Sequence, residues 1–189
     1  MLFITERNLN IFNLIGTVLV TVLLLASCAG NNWLVNDRLE TYTGVWRTCQ
    51  QLSFGKGSVC APYSPRDAQE HVIRAVLVIA VLLAILAVTF SILAANVRYI
   101  KYGHVYVVLY LIFLSMLAAL PLYTHKTITF INQSRDMYYR FGWSFIVGWV
   151  GAVVALLLAV FGTIMIGRLS EPVETSEEQT DELIFERFS

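Results

Sequence analysis

The sequence predicts an all-α membrane protein: four spanning helices, with one small β element in the loop after the first. Three observations lead there. The 189 residues are 57% apolar and only 14% charged, with a mean hydropathy of +0.67; soluble domains run at about 45–50% apolar and about 25% charged. Four windows, Ile11–Ala29, Ala75–Ala95, Val105–Tyr123 and Phe141–Gly167, carry no Asp, Glu, Lys or Arg, and a spanning helix needs roughly 20 mainly apolar residues. The long polar stretch between the first two windows concentrates Trp33, Trp46, Cys49 and Cys60. Little chain is left over for a separate soluble domain.

Residues 1–10 form a short polar lead-in to the first span, 11–29. Its Leu25-Ala26-Ser27-Cys28 has the look of a bacterial acylation site, but Glu6 and Arg7 cancel in the segment where a secretory signal needs net positive charge. Cys28 is expected to be a buried structural thiol. In the loop, residues 30–74, the run from Thr41 to Cys60 is rich in strand formers and is broken by Phe54-Gly55-Lys56-Gly57. Two short runs around such a turn read as a hairpin with Cys49 opposite Cys60. Closing a loop of this size by a disulfide stabilises by about 3 kcal/mol in the chain-entropy model. Trp33 and Trp46 are expected to anchor the base of the loop.

The second span, 75–95, is followed by a tight connection, 96–104, the third span, 105–123, a medium loop, 124–140, and the fourth span, 141–167. Small residues recur along the second span at Ala80, Ala84, Ala87, Ser91 and Ala95, and along the fourth at Gly148, Gly151, Ala152, Ala155 and Ala159. Such stripes let helices approach closely in lipid, where no hydrophobic effect drives association. Packing within one chain explains them more simply than a dimer does. Tyr138, Tyr139, Phe141 and Trp143 suggest an aromatic belt at the water–lipid boundary. The tail, 168–189, is acidic from Glu171 to Glu186 with no base between, and is expected to be a disordered solubilising segment. Thr175, followed by Glu177 and Glu178, is a candidate phosphorylation site, and Asp181-Glu182-Leu183-Ile184 an imperfect dileucine signal.

An even number of spans puts both termini on one side and both larger loops on the other. Lys and Arg are more numerous in the loops, which by the positive-inside rule would place them in the cytosol. Two features oppose that: the isolated pair Cys49 and Cys60, suited to an oxidising compartment, and the sequon Asn132-Gln133-Ser134, usable only on the lumenal face. The expected topology is a plasma-membrane protein with extracellular loops and cytoplasmic termini.

Trp33, then Gly44-Val45-Trp46, then Cys49 and Cys60, followed by Arg74-Ala75, resemble the signature of the claudin superfamily. That group spans claudins, epithelial membrane and peripheral myelin proteins, lens fibre membrane intrinsic protein, and calcium-channel gamma subunits. Phe141-Gly142-Trp143-Ser144-Phe145 is similar to the opening of the fourth span in the lens and epithelial branch. The resemblance implies a left-handed four-helix bundle capped by an extracellular antiparallel sheet. Val45 stands where the family usually has Leu, and the end at Arg187-Phe188-Ser189 lacks the hydrophobic residue of claudin tails.

No catalytic motif is present. His71, His104 and His125 are scattered, and Cys49 and Cys60 have no nearby His to complete a metal site. No enzyme activity, cofactor, metal or nucleic acid is expected. Asp37, Glu40, Arg47, Lys56 and Arg66 are candidates for lining an ion path, but their mixed signs favour a solvated face. Arg74, at the lipid boundary, is expected to anchor the loop to the second helix or simply to snorkel. Two functions remain open. One is junctional: adhesion or barrier formation at cell–cell contacts, with partners in the same or the apposed membrane, itself or related four-span chains. The other is an auxiliary subunit that alters gating or trafficking of a channel or receptor, suggested by Trp46-Arg47-Thr48-Cys49 together with Gly142-Trp143-Ser144-Phe145.

Overall fold

The computed structural model describes residues 6–52, 57–63, 68–96, 102–133 and 138–169. Four helices, α1 (Glu6–Ala29), α2 (Ala68–Asn96), α3 (Gly103–Gln133) and α4 (Trp143–Leu169), are all long and apolar enough to cross a membrane. α1 packs on α2 and α4, and α3 packs on the same two, so the helices form a closed ring of neighbours. Large apolar side chains such as Ile15, Leu82 and Leu157 point outward, as they must where the surrounding solvent is hydrocarbon.

The inner faces follow from residue size. Ala80, Ala84, Ala87 and Ser91 are buried on α2, and Gly148, Gly151, Ala152, Ala155 and Ala159 on α4. Both small-residue stripes are therefore used within the chain; Ala95 alone faces outward. Bulkier Val20, Leu24, Leu109, Ile112, Met116 and Leu120 from α1 and α3 fill the space between them. A polar seam crosses the end of the bundle far from the loops. Asn13 Nδ2 donates to the Tyr106 hydroxyl at 2.9 Å, Thr17 Oγ1 to Ser91 Oγ at 3.3 Å, and Thr21 Oγ1 to the Ala84 carbonyl at 3.2 Å. Interhelical bonds of this kind average about 0.6 kcal/mol; their use is to set register.

At the other end lies a five-stranded antiparallel sheet in the order β4-β3-β2-β1-β5. Four strands come from the first loop: β1 (Leu34–Asn36), β2 (Thr41–Thr43), β3 (Arg47–Gln51) and β4 (Ser58–Pro62). β3 and β4 are the expected hairpin, with Cys49 paired to Cys60 in register and joined by a disulfide. Phe54, Gly55 and Lys56 of its turn fall outside the described residues. The β1–β2 turn is an Asx turn: the Asn36 side-chain oxygen accepts from the backbone N–H groups of Arg38 and Leu39 at 3.0 and 3.1 Å.

Two features depart from the sequence reading. α2 begins six residues before Arg74, at Ala68 (74 − 68), and α3 runs past Tyr123 to Gln133. At 31 residues, α3 is about 46 Å long, well beyond a hydrocarbon core of about 30 Å. The region expected to be a loop is thus mostly helix. Its last two residues, with Phe141 from the start of the expected fourth span, form β5 (Tyr139–Phe141), which pairs with β1 as Leu34↔Phe141, Val35↔Arg140 and Asn36↔Tyr139. The aromatic run 138–143 divides accordingly: Tyr139 and Phe141 enter the sheet, while Tyr138 and Trp143 stay exposed.

Gly162 shows how close the helices come, because a Cβ there would lie only 2.0 Å from the Tyr106 ring. Gly162→Ala should destabilise the detergent-solubilised protein by about 1–3 kcal/mol through overpacking. Gly103→Ala, where a Cβ meets nothing within 4 Å, is the control and should leave the thermal melt in place.

Candidate functional site

The chemistry of this chain is concentrated where the sheet meets the helices. α1 ends at Ala29, and a helix leaves its last four carbonyls without intrahelical donors. Here three consecutive ones are satisfied. The Gly30 N–H donates to the Ala26 carbonyl at 3.0 Å, the Trp33 indole N–H to Ser27 at 2.7 Å, and the Trp46 indole N–H to Cys28 at 2.8 Å. The two tryptophans expected to anchor the loop do so as caps on the first helix.

Trp33 is fully buried. Its ring meets Tyr123 of α3 edge-on at 4.9 Å and Phe145 of α4 at 5.7 Å, and Phe145 stacks on Phe141 of β5 at 4.6 Å. One side chain thereby touches α1, α3 and α4. The backbone on either side of it begins the sheet: Trp33 N–H donates to Thr43, and Gly142 N–H donates to Trp33.

Gly44 explains the residue before Val45-Trp46. A Cβ there would come within 2.6 Å of Asn31 Cα, so the chain can return past the end of α1 only with glycine. Val45 is buried in the core cluster. Cys28 is a half-buried free thiol, packed against the same cluster.

Arg74 binds the sheet to α2. Its guanidinium lies over the rings of Trp46 and Tyr63, at 5.3 and 5.6 Å, and donates to the Tyr63 carbonyl at 2.6 Å. Tyr63 in turn donates its hydroxyl to Glu70 at 2.7 Å, and Glu70 pairs with Lys126 of α3. This chain of contacts links α1, the sheet, α2 and α3. Sequence reasoning singled out Arg74 but missed Tyr63, Glu70, Lys126 and Tyr123. A Glu one turn before Arg74, with a Lys just beyond the third apolar run, was the signal available.

Other candidate residues are less engaged. Asp37 accepts from Arg140 Nε at 3.0 and 2.8 Å across the β1–β5 edge, and this hydrogen bond, then the carboxylate's charge, pushes the Arg140 guanidinium above its usual range. Both side chains are exposed, so the pair is of little energetic weight. Arg47 and Glu40 are exposed, and Glu40 occupies a left-handed turn conformation with φ of 48°. Lys56, Arg66 and Thr175 fall outside the described residues, and Asn132 is exposed in the last turn of α3. His71, His104 and His125 remain on separate stretches of α2 and α3.

Four spanning helices under a disulfide-closed sheet, whose tryptophans cap the first helix, define a four-span membrane protein of the claudin type. The model of the PMP-22/EMP/MP20/Claudin family matches residues 9–162, and the chain belongs to that family. It is 26% identical over 149 residues to the lens fiber membrane intrinsic protein of Rattus norvegicus and to that of Mus musculus, covering 75% of this chain and 82% of each relative. The Homo sapiens protein of the same name matches to the same extent.

Trp33→Phe keeps a ring in the cluster but leaves the Ser27 carbonyl without its donor, which should cost about 1–3 kcal/mol. Trp33→Ala also opens a cavity and should cost about 3–5 kcal/mol. Thermal unfolding of the solubilised variants reads both, and Trp33→Phe equal to the parent would contradict the capping role.

Proposed function

We propose that this four-span membrane protein acts, without catalysis, at cell–cell contacts, where its sheet engages a neighbouring chain to build adhesion or a barrier. The sheet faces the cell exterior, and both termini lie in the cytosol at the plasma membrane. The observation that carries this reading is the far edge of the sheet. Leu39 in the β1–β2 turn, and Leu52 and Val59 beside the β3–β4 turn, are 57%, 48% and 61% exposed. These turns lie at the same end, tied by the Gln51 N–H donating to the Glu40 carbonyl. Three exposed apolar side chains near two turns that are braced together offer a neighbouring chain an interaction surface. The auxiliary-subunit alternative rests on Trp46-Arg47-Thr48-Cys49 with Gly142-Trp143-Ser144-Phe145; the small-residue stripes, which would add to it if free to dock on a channel, are buried inside this chain except for Ala95.

Tagged protein expressed in cells that lack junctions, mixed with non-expressing cells, tests the reading. Signal should concentrate only where two expressing cells touch. Leu39→Ser with Val59→Ser should abolish that enrichment while leaving surface delivery intact, and Cys49→Ser should abolish surface delivery or enrichment. Uniform surface signal, or stable co-purification with a larger channel, would favour the auxiliary-subunit reading instead. For the orientation, Asn132→Gln should remove a glycosidase-sensitive mobility shift; a parent chain that shows no shift would withdraw that support for external loops.

A further inference from the structure

Between the sheet and the outer turns of α2 and α3 lies a cavity of about 510 Å³, within the range of small-molecule sites. Its walls combine apolar Val45, Ile73 and Phe130 with Arg74, Glu70 and Lys126. We propose that this cavity binds the phosphate of a membrane phospholipid headgroup, with Arg74 and Lys126 as the cationic donors.

Charge is the first argument. Two cations and one carboxylate line the cavity, and a single Glu70 oxygen already accepts from both Tyr63 and Lys126. Arg74 is half-buried, and the one hydrogen bond it makes with the described residues goes to the Tyr63 carbonyl. A guanidinium has five N–H donors in a planar fork suited to phosphate. In contact with two aromatic rings, this one is already oriented, so little side-chain entropy is lost when an anion arrives.

Depth is the second. Arg74 immediately precedes the uncharged run Ala75–Ala95, and Lys126 closely follows the uncharged run Val105–Tyr123. Both cations therefore sit just outside the hydrocarbon, at headgroup level. Val78 on α2 and Leu122 on α3, each one turn toward the hydrocarbon from Arg74 and Lys126, are exposed, giving acyl chains an apolar surface below the two cations. A phosphate tethered in the bilayer is concentrated at that level, whereas a free ion is not.

Native mass spectrometry of the full-length protein in detergent tests this. The probes are phosphatidylcholine, a galactosyl diacylglycerol that lacks phosphate, and inorganic phosphate as the free-ion arm. The parent should retain phosphatidylcholine, not the galactolipid, and inorganic phosphate should neither bind detectably nor displace the lipid. Arg74→Gln should lower retention about tenfold or more, the loss of a charge-assisted hydrogen bond. Glu70→Gln should raise it, because the carboxylate that competes with the phosphate for Lys126 is then gone. A disturbed fold would lower both, so the opposite signs separate ligand binding from stability. Should Arg74→Gln fail to fold, Lys126→Gln takes its place with the same expected loss. Equal retention of the galactolipid, binding of inorganic phosphate alone, or reduced retention in Glu70→Gln would each overturn the proposal.

Discussion

Two indole N–H groups hold the sheet to the bundle. A helix that ends at the edge of a membrane has carbonyls that must find donors, and water is scarce where protein packs over them. In this chain those donors come from Trp33 and Trp46, which lie before β1 and before β3. The bonds do two things together: they satisfy the end of α1 and fix where the first and third strands start. The strand register, the position of the Trp33–Tyr123–Phe145 cluster and the seating of Arg74 over Trp46 all follow from that placement.

The sheet illustrates how little core such an element needs. Its strands are three to five residues long, at the short end of the usual range. It persists because one disulfide closes the β3–β4 hairpin, because Leu34 and Val35 of β1 are buried, and because the helices below supply the other half of the packing. The belt of Arg74, Tyr63, Glu70 and Lys126 joins that lower surface to α2 and α3. The outer edge, free of those duties, carries Leu39, Leu52 and Val59.

The spans and the hairpin were legible in the sequence because each rests on a strong local rule. Hydrocarbon excludes unpaired charge, so the four uncharged windows stand out, and two strand-forming runs around a Gly-rich turn announce a hairpin. The ends of α2 and α3 were not legible. Glu70 and Lys126 each look like a helix-ending charge when read alone, yet they neutralise one another across two helices, a fact of tertiary structure. β5 escaped for a related reason. Three residues are too few to show a period of two, and Tyr139-Arg140-Phe141 reads equally well as an interfacial aromatic cluster. The roles of the signature residues were visible only in part: Trp33 and Trp46 were placed at the base of the loop, but which atoms they served depended on where α1 stopped.

The fifth strand has a consequence for biogenesis. β1 lies between β2, its neighbour in the chain, and β5, which is made only after α3. Until the ribosome has produced residues 139–141 and α4 has inserted, one edge of β1 stays open and Trp33 lacks Phe145 against its ring. The pairing of β1 is therefore completed only by the last-made part of the membrane-embedded chain. An open edge of that kind is a template for pairing with other chains until β5 covers it.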